Sequence, residues 1–373
     1  MKVICSRNSL QDALSKVSRA VSPKSTIRAI EGILVRAIKD EGLYLCGYNL
    51  DMGITCTIDA VVKDEGDVVI HPSRMFVDII RRLPGDSVSI EISLTNDVQI
   101  TSGSATFVVS GMNAGDFPEL PDFVCENSIK IQNKILRSMI NQTIFSVSDN
   151  MMHPIYTGAK FEASEEGLRV IALDGVRIAV RNEPIKCENP CEFIVPARTL
   201  AEVEKMLSDE EAESTISIAR RFVMFQMGNY SVLSRILEGT FIDFRKVVKM
   251  VNEIEAEVCT SRFIEATERM NLMLTGSSNP PVCCFFGEGQ VRLECRSEMG
   301  TAHDSWDEDI NADVHEIWFK NQYLLDAFRA ADTDKVLITL GGSVDPLKIA
   351  PPDGDKFEFY VMPCRKKKTN APL

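Results

Sequence analysis

Few residues have the chemistry of an active site, and the most suggestive pair is Asp174 and Arg177 in the segment ALDGVRIAV (172–180). A carboxylate beside a guanidinium can act in catalysis, but Asp-Gly is common in turns, and an ion pair at a turn explains the same residues. The sequence contains no G-x-S-x-G, Walker or Rossmann fingerprint. We therefore predict that the protein is not an enzyme and uses no cofactor.

Metal ligands are also poorly grouped. The chain has 11 cysteines without a C-x-x-C pair, and its 4 histidines are scattered, whereas a zinc site needs close pairs of ligands. Most cysteines flank apolar residues in strand-like runs, which favours reduced thiols that pack as small core residues. Cys187 and Cys191 are the one pair whose spacing would permit a disulfide. No metal site is predicted.

The elements that must position these residues repeat along the chain. A helix followed by an alternating strand is indicated in three segments that begin 124 residues apart, at 72–92, 196–218 and 320–340. Their apolar helix stripes are Phe76, Ile79 and Leu83; Leu200, Val203 and Leu207; and Leu324, Ala327 and Ala331. Another helix opens each repeat, over 8–21, 133–148 and 260–274. A period of this length indicates a triplicated domain and not a solenoid.

The repeat predicts an α+β fold with three domains, 1–124, 125–250 and 251–373, each with two helices packed on an antiparallel sheet. The third domain ends in a short basic tail, KKKTNAPL, over 366–373. No low-complexity linker separates the repeats, so adjacent domains are expected to meet edge to edge as a continuous sheet. The chain has no apolar run long enough to cross a bilayer and no signal-peptide core, which predicts a cytoplasmic protein.

The charge distribution bears on the ligand. Taken over the whole chain, the net charge of −13 argues against binding to nucleic acid. The charge is unevenly distributed, however, because the six predicted helices hold 13 basic and 7 acidic residues. If all six helices line one surface of the protein, that surface is basic. A basic surface of this kind favours sequence-independent contact with the phosphates of duplex DNA. Two alternatives remain, because charged helix faces are usually just solvated. In the first alternative, the charged helix faces are simply exposed to solvent and bind nothing. In the second, the chain is a non-enzymatic repeat scaffold that binds only proteins.

Several motifs, in order on a triplicated chain, resemble the bacterial DNA sliding clamps, the β subunits of DNA polymerase III. They are FPELP (117–121), HPIYTGAKFE (153–162), ALDGVRIAV, GTFIDFRKV (239–247), FKNQYLLDAFRA (319–330) and FYVMPCR (359–365). The resemblance implies a non-enzymatic, head-to-tail homodimeric ring with its helices inward, which encircles double-stranded DNA. Its implied partners are the DNA polymerase III α subunit, the clamp loader and other proteins with clamp-binding motifs; no membrane partner is implied.

The resemblance also implies three groups of site residues. A peptide-binding pocket is expected from Tyr156, Leu173, Gly175, Val176, Arg177, Ile178, Ile242, Lys246, Val247, Tyr360, Val361, Met362, Pro363, Cys364 and Arg365. Dimer contacts are expected at Phe107 and Val109 on one side and at Leu272 and Met273 on the other. DNA contacts are expected at Lys24, Arg74, Arg81, Arg137, His153 and Arg198. Plain core burial is the alternative for Leu173, Val247 and Val361.

Three positions depart from the family pattern. Ile242 stands where the family has proline and Tyr156 where it has leucine, so a differently shaped pocket is expected. His153 stands where an arginine is usual, which weakens one expected phosphate contact near neutral pH. The basic tail also extends past Arg365, near which family members usually stop, and either an inert tail or one that reaches the pocket or a phosphate fits this pattern.

Overall fold

The computed structural model describes residues 1–93, 95–208, 210–248, 254–274, 280–310 and 315–365. The α-helices in these ranges are α1 (Arg7–Val17), α2 (Ser73–Arg81), α3 (Asn133–Asn141), α4 (Ala197–Met206), α5 (Thr260–Asn271) and α6 (Asn321–Ala331). The predicted boundary at 250 and the tail 366–373 lie outside the described residues.

The strands fall into three successive groups. The first group is β1 (Lys2–Ser6), β2 (Ile33–Ile38), β3 (Gly42–Tyr48), β4 (Met52–Ile58), β5 (Ala60–Asp64), β6 (Gly66–Ile70), β7 (Ser87–Ile92), β8 (Asp97–Ser102) and β9 (Ala105–Met112). The second is β10 (Asn127–Gln132), β11 (Gly158–Ala163), β12 (Leu168–Leu173), β13 (Arg177–Glu183), β14 (Cys191–Pro196), β15 (Glu213–Ile218), β16 (Phe222–Met227) and β17 (Tyr230–Arg235). The third is β18 (Ile254–Cys259), β19 (Val282–Gly287), β20 (Gln290–Ser297), β21 (Gly300–Asp307), β22 (His315–Phe319), β23 (Lys335–Leu340), β24 (Leu347–Ala350) and β25 (Phe357–Val361).

The order of elements is the same in each group. A strand leads into a helix, four or five strands follow, then a second helix, then three strands. The second helices begin at Ser73, Ala197 and Asn321, which are 124 residues apart. The triplication read from the sequence is therefore confirmed.

Two sheets run across the repeats. A 13-stranded antiparallel sheet joins the first repeat to part of the second where β4 pairs with β17, and an 8-stranded sheet joins the second to the third where β13 pairs with β25. A further 4-stranded sheet has the order β21-β20-β19-β22. The expected edge-to-edge continuity is confirmed, because repeats meet through ladder hydrogen bonds.

The chain forms two compact units, and the middle repeat contributes to both. Unit 1 comprises residues 1–136 and 198–236, and unit 2 comprises residues 137–197 and 237–373. The split follows the sheets, since β10 and β15 to β17 belong to the 13-stranded sheet while β11 to β14 belong to the 8-stranded sheet. Sequence repeat and compact unit are thus different divisions of the same chain.

The helices bury the predicted stripes, with one correction. Leu200, Val203, Leu324 and Ala327 are buried as expected. In α2, however, Phe76 is joined in the core by Ile80, and Ile79 is only partly buried. Either isoleucine fits helical spacing from Phe76 at three or four residues. The tertiary packing of α2, which lies against α1, places the residue four positions after Phe76 in the core.

The three helices that open the repeats all end earlier than predicted, and the one expected over 260–274 ends at Asn271. The helix expected over 8–21 ends at Val17 and continues as a short 3₁₀ turn. The helix expected over 133–148 ends at Asn141, close to Thr143, whose hydroxyl donates to the Met139 carbonyl at 2.7 Å. A threonine hydroxyl that bonds an upstream carbonyl competes with the regular helix ladder. No helix among the described residues is long and apolar enough to span a membrane.

Candidate functional site

Strands β13 and β25 lie side by side in unit 2, and their alternation creates two different faces. Ile178 pairs with Tyr360 and lies with it in one apolar cluster. The next residue along β25, Val361, is buried in the larger core of unit 2 together with Phe359. Because successive strand side chains point to opposite faces, Tyr360 faces the candidate pocket while Val361 supports it from behind.

The floor of the candidate pocket is apolar and its rim is exposed. The buried floor consists of Ile171, Leu173, Ile178, Val180, Phe244 and Tyr360, and the partly buried residues around it are Tyr156, Phe241, Val248 and Met362. The rings of Tyr156 and Phe241 meet edge to face with centroids 5.4 Å apart. Val176, Ile242 and Val247 are exposed, and Val247 retains 50% of its accessible surface. Exposed apolar side chains grouped in this way are typical of binding surfaces.

A tight loop holds one side of the pocket. The Asp174 carboxylate accepts the backbone N–H groups of Val176 and Arg177, both at 2.9 Å. Gly175 has φ +92°, and open space surrounds the position of a Cβ there. The Met362 amide donates to the Val176 carbonyl at 2.8 Å. The loop therefore fixes the backbone of the C-terminal segment that carries Met362.

Arg177 occupies a nearly buried ion-pair network. Its Nε lies 2.9 Å from Asp174 Oδ2 and its Nη1 lies 2.7 Å from Asp326 Oδ2. The guanidinium also lies over the Tyr323 ring, 4.5 Å from its centroid. The prediction that Asp174 and Arg177 form an ion pair at a turn is confirmed. Both carboxylates are engaged by the same cation, which gives the arginine a structural role in tying β13 to α6.

We expect Arg177→Met to destabilise unit 2 by about 2–4 kcal/mol, because it leaves two partly buried carboxylates without their cation. The matched control is Arg245→Met. Arg245 pairs with Asp243, but its side chain is 62% exposed against 12% for Arg177, so a loss within about 0.5 kcal/mol is expected. Denaturant-induced unfolding of both variants checks this. Equal losses would contradict a structural role for the Arg177 network.

The other predicted pocket residues are distributed around this cluster. Lys246 is exposed and Pro363 is partly buried. Cys364 and Arg365 are exposed, and the Cys364 amide donates to the Trp318 carbonyl at 2.6 Å. The sequence analysis missed the floor residues Ile171, Val180 and Phe244 and the surrounding residues Phe241 and Val248. Two sequence features could have indicated them: the spacing of the aromatic residues within GTFIDFRKV, and the alternation of apolar residues along β12 and β13.

In unit 1, β9 presents a strand edge beside an apolar cavity. It pairs with β8 along its length but with β6 only at Gly111 and Met112, so among the described residues the outer edge of Ala105–Ser110 has no strand partner. Phe107 is 40% exposed and Val109 is partly buried. A cavity of about 600 Å³ is lined by Pro72, Arg74, Met75, Asp78, Ile79, Arg82 and Phe107.

In unit 2, β21 is an edge strand of the 4-stranded sheet, and its residues alternate between partly buried and exposed. Leu272 follows α5 and is 73% exposed, while Met273 is partly buried against the core of the unit. Large apolar side chains near an edge strand are the usual composition of a contact surface. Each unit thus carries a strand edge with apolar side chains next to it.

The predicted DNA-contact residues have different environments. Lys24, Arg198 and His153 are exposed, Arg81 pairs with Asp78 at 2.6 Å, and Arg137 is partly buried. Arg74 lines the cavity next to Phe107. Several other helix cations are also ion-paired, including Lys16 with Asp12, Arg19 with Glu202, Arg269 with Asp304 and Arg329 with Glu268. The basic excess of the helices is therefore partly neutralised within the chain.

The loop that carries Lys24 is held by a carboxylate. Glu31 accepts the Ser25 amide at 2.7 Å through one oxygen and lies 3.3 Å from His71 Nε2 through the other. The Ser25 amide and then His71 lower the pKa of Glu31. Among the described residues no group of three or more His, Cys, Asp and Glu side chains could hold a metal ion.

Comparison with known proteins identifies the fold. Sequence profiles described as the N-terminal, central and C-terminal domains of the DNA polymerase III beta subunit match residues 1–121, 130–243 and 246–365. The chain is 31% identical over 364 residues to a protein named "Beta sliding clamp" from Staphylococcus aureus, covering 94% of this chain and 96% of that protein. The chain belongs to the DNA polymerase III β subunit family. A beta sliding clamp from Staphylococcus epidermidis is 30% identical over 368 residues, covering 96% of each protein.

Solved structures of the family have the same fold. A Bacillus subtilis DNA polymerase sliding clamp matches with a TM-score of 0.94 at 26% identity, covering 98% of this chain and 99% of that one. A putative DNA polymerase III beta subunit from Eubacterium rectale matches with a TM-score of 0.93 at 27% identity, covering 98% and 100%. The three repeats are therefore three clamp domains, each with two helices packed on antiparallel sheet.

Proposed function

We propose that this chain is a DNA sliding clamp that gives the replicative polymerase its processivity in the cytoplasm. The full-length match to sliding clamps, on a chain with three clamp domains, carries the proposal. Two copies close head to tail into a ring around duplex DNA, with the helices inward. A topological link needs no tight contact, so the protein holds DNA without reading its sequence and without catalysing a reaction.

The two strand edges support the head-to-tail assembly. An edge such as Ala105–Ser110 of β9 exposes unpaired backbone groups that another strand can satisfy, and β21 is a second such edge. A contact between two different surfaces closes a ring when the rotation allows it. Phe107 and Val109 then meet Leu272 and Met273 of the other copy. The cavity beside Phe107 offers a place for one of these apolar side chains.

Duplex DNA is held by modest positive charge in this proposal. Lys24, Arg81, Arg137 and Arg198 contribute to the inner surface, with His153 as a weaker contact. Because Arg74 lines the Phe107 cavity, we assign it to the subunit contact. Ion pairs such as Arg81 with Asp78 reduce the attraction for phosphate. Loose, salt-sensitive binding is what a sliding protein requires.

The apolar pocket of unit 2 receives short peptides from the DNA polymerase III α subunit, the clamp loader and other clamp-binding proteins. Its floor accommodates the apolar anchors of an extended peptide, and Val176, Ile242 and Val247 close around them. Met362 adds an adaptable side chain suited to several partners. Tyr156 packs on Phe241, so an aromatic pair forms the wall of the pocket at this position.

Retention on DNA tests the topological link. With a clamp loader and ATP, we expect the protein to remain on nicked circular DNA and to leave the same DNA within minutes once a restriction enzyme linearises it. The measurement is co-elution with DNA on a sizing column, and DNA that is linear from the start is the control. Equal retention on both forms would indicate ordinary binding. No retention on either form would favour the scaffold that binds only proteins.

A further inference from the structure

The segment between β13 and β14 brings two cysteines to the end of one neighbouring strand. Cys191 is the first residue of β14 and lies opposite Ala163 at the end of β11. The Cys187 amide donates to the carbonyl of Ser164, the next residue along, at 2.9 Å. Because Ala163 and Ser164 are consecutive, the fold fixes both cysteines beside the same strand end.

The environment of the two thiols makes them a distinct pair. Cys187 is buried and its thiol donates to the Asn189 carbonyl at 3.2 Å, while Cys191 is partly buried. Burial, followed by contact with the Cys187 thiol, raises the pKa of Cys191 to about 11. Cys283 and Cys284 are neighbours within β19, where consecutive side chains point to opposite faces of the sheet. Cys125 and Cys364 are exposed free thiols.

We propose that Cys187 and Cys191 form a redox-active dithiol that a low-molecular-weight disulfide converts into an intramolecular disulfide. Cys191 is the more accessible thiol, but because its pKa is raised, only a small fraction of it is ionised at neutral pH. That thiolate attacks one sulfur of the disulfide and releases the first small thiolate. Cys187 then loses its proton and attacks the Cys191 sulfur, which releases the second. One protein S–S bond replaces two S–H bonds, and the small disulfide is reduced to two thiols.

The site is separate from the peptide pocket. Arg177 and Ile178, at the start of β13, border the pocket, whereas the dithiol follows the other end of β13 after Glu183. Oxidation pins residues 187–191 into a closed loop against the end of β11. It removes conformational freedom from the unfolded chain and is expected to leave peptide affinity within about twofold of its reduced value. The inference therefore stands independently of the clamp function.

The chain offers a direct assay. Trypsin cleavage after Lys186 and Arg198 yields the peptide CENPCEFIVPAR, which contains both cysteines and no other. The folded full-length protein is incubated with excess glutathione disulfide, alkylated with iodoacetamide, digested and weighed by mass spectrometry. We expect most of this peptide to carry no alkyl group and to have lost two hydrogens. Reduction before alkylation should restore two alkylation sites.

The exposed cysteines and the Cys187→Ser variant serve as controls. Peptides that contain exposed Cys125 or Cys364 should carry glutathione, which shows that the oxidant is active. Cys187→Ser should leave Cys191 as a glutathione adduct, because the second attack is lost. If the wild-type peptide stays doubly alkylated while Cys125 is modified, or stops at a glutathione adduct, the proposal is overturned. The rate of disulfide formation between Cys187 and Cys191 should also be compared with the rate in protein unfolded by denaturant. If the disulfide forms no faster in the folded protein, the proposal is overturned, because the fold would not be bringing the thiols together.

Discussion

Phe107→Asp should convert the proposed dimer into monomers. Phe107 lies on the open edge of β9 beside the cavity lined by Arg74, Ile79 and Arg82, and the substitution removes the aromatic side chain that the proposed assembly would bury against Leu272 and Met273 of the other copy. Loss of an aromatic anchor at the centre of a contact costs about 2 kcal/mol or more, so the dissociation constant should rise at least about 30-fold. Sedimentation equilibrium should show a particle near the chain mass of 41.5 kDa instead of twice that value.

The matched control for this substitution is Val61→Asp. Val61 is an exposed apolar residue on β5, which is an edge strand of the same 13-stranded sheet, and it is absent from the proposed contact. This variant should remain a dimer. Circular dichroism of the Phe107 variant should show native secondary structure, since Phe107 is already partly exposed. A dimer that survives Phe107→Asp with unchanged affinity would refute the β9 edge as the subunit contact.

Val247→Asp should weaken peptide binding strongly while leaving the fold intact. The side chain is half exposed on the pocket rim, and its backbone is held by a hydrogen bond from the Val247 amide to the Phe244 carbonyl at 2.9 Å. A bound apolar anchor would desolvate the new carboxylate without pairing it. We expect affinity for a labelled clamp-binding peptide to fall about 100-fold, or about 2.7 kcal/mol, as measured by fluorescence anisotropy.

Val124→Asp is the corresponding control for the pocket. Val124 is also an exposed valine, but it belongs to unit 1 and is not among the pocket residues. Its substitution should leave peptide affinity unchanged. Wild-type affinity in the Val247 variant would place the peptide elsewhere on the chain. Loss of affinity in both variants would point to a general effect of added negative charge on a protein whose net charge is already −13.

The sequence alone was sufficient for the repeat and for most of the helix cores. Stripes such as Leu200 with Val203 and Leu324 with Ala327 are local patterns, set by helical geometry within one element. The 124-residue spacing and the strand alternation predicted three domains with antiparallel sheet. Even the ion pair of Asp174 and Arg177 could be anticipated, because both residues belong to one turn.

Tertiary structure decided everything that depends on which face meets which neighbour. The sequence could not show that Ile80 enters the core while Ile79 faces the Phe107 cavity, since both fit the helical period. It could not show that Val361 points away from Tyr360 into the core, or that Cys187 and Cys191 meet at the end of β11. These choices depend on strand register and packing between residues far apart in the chain, and no local pattern encodes them.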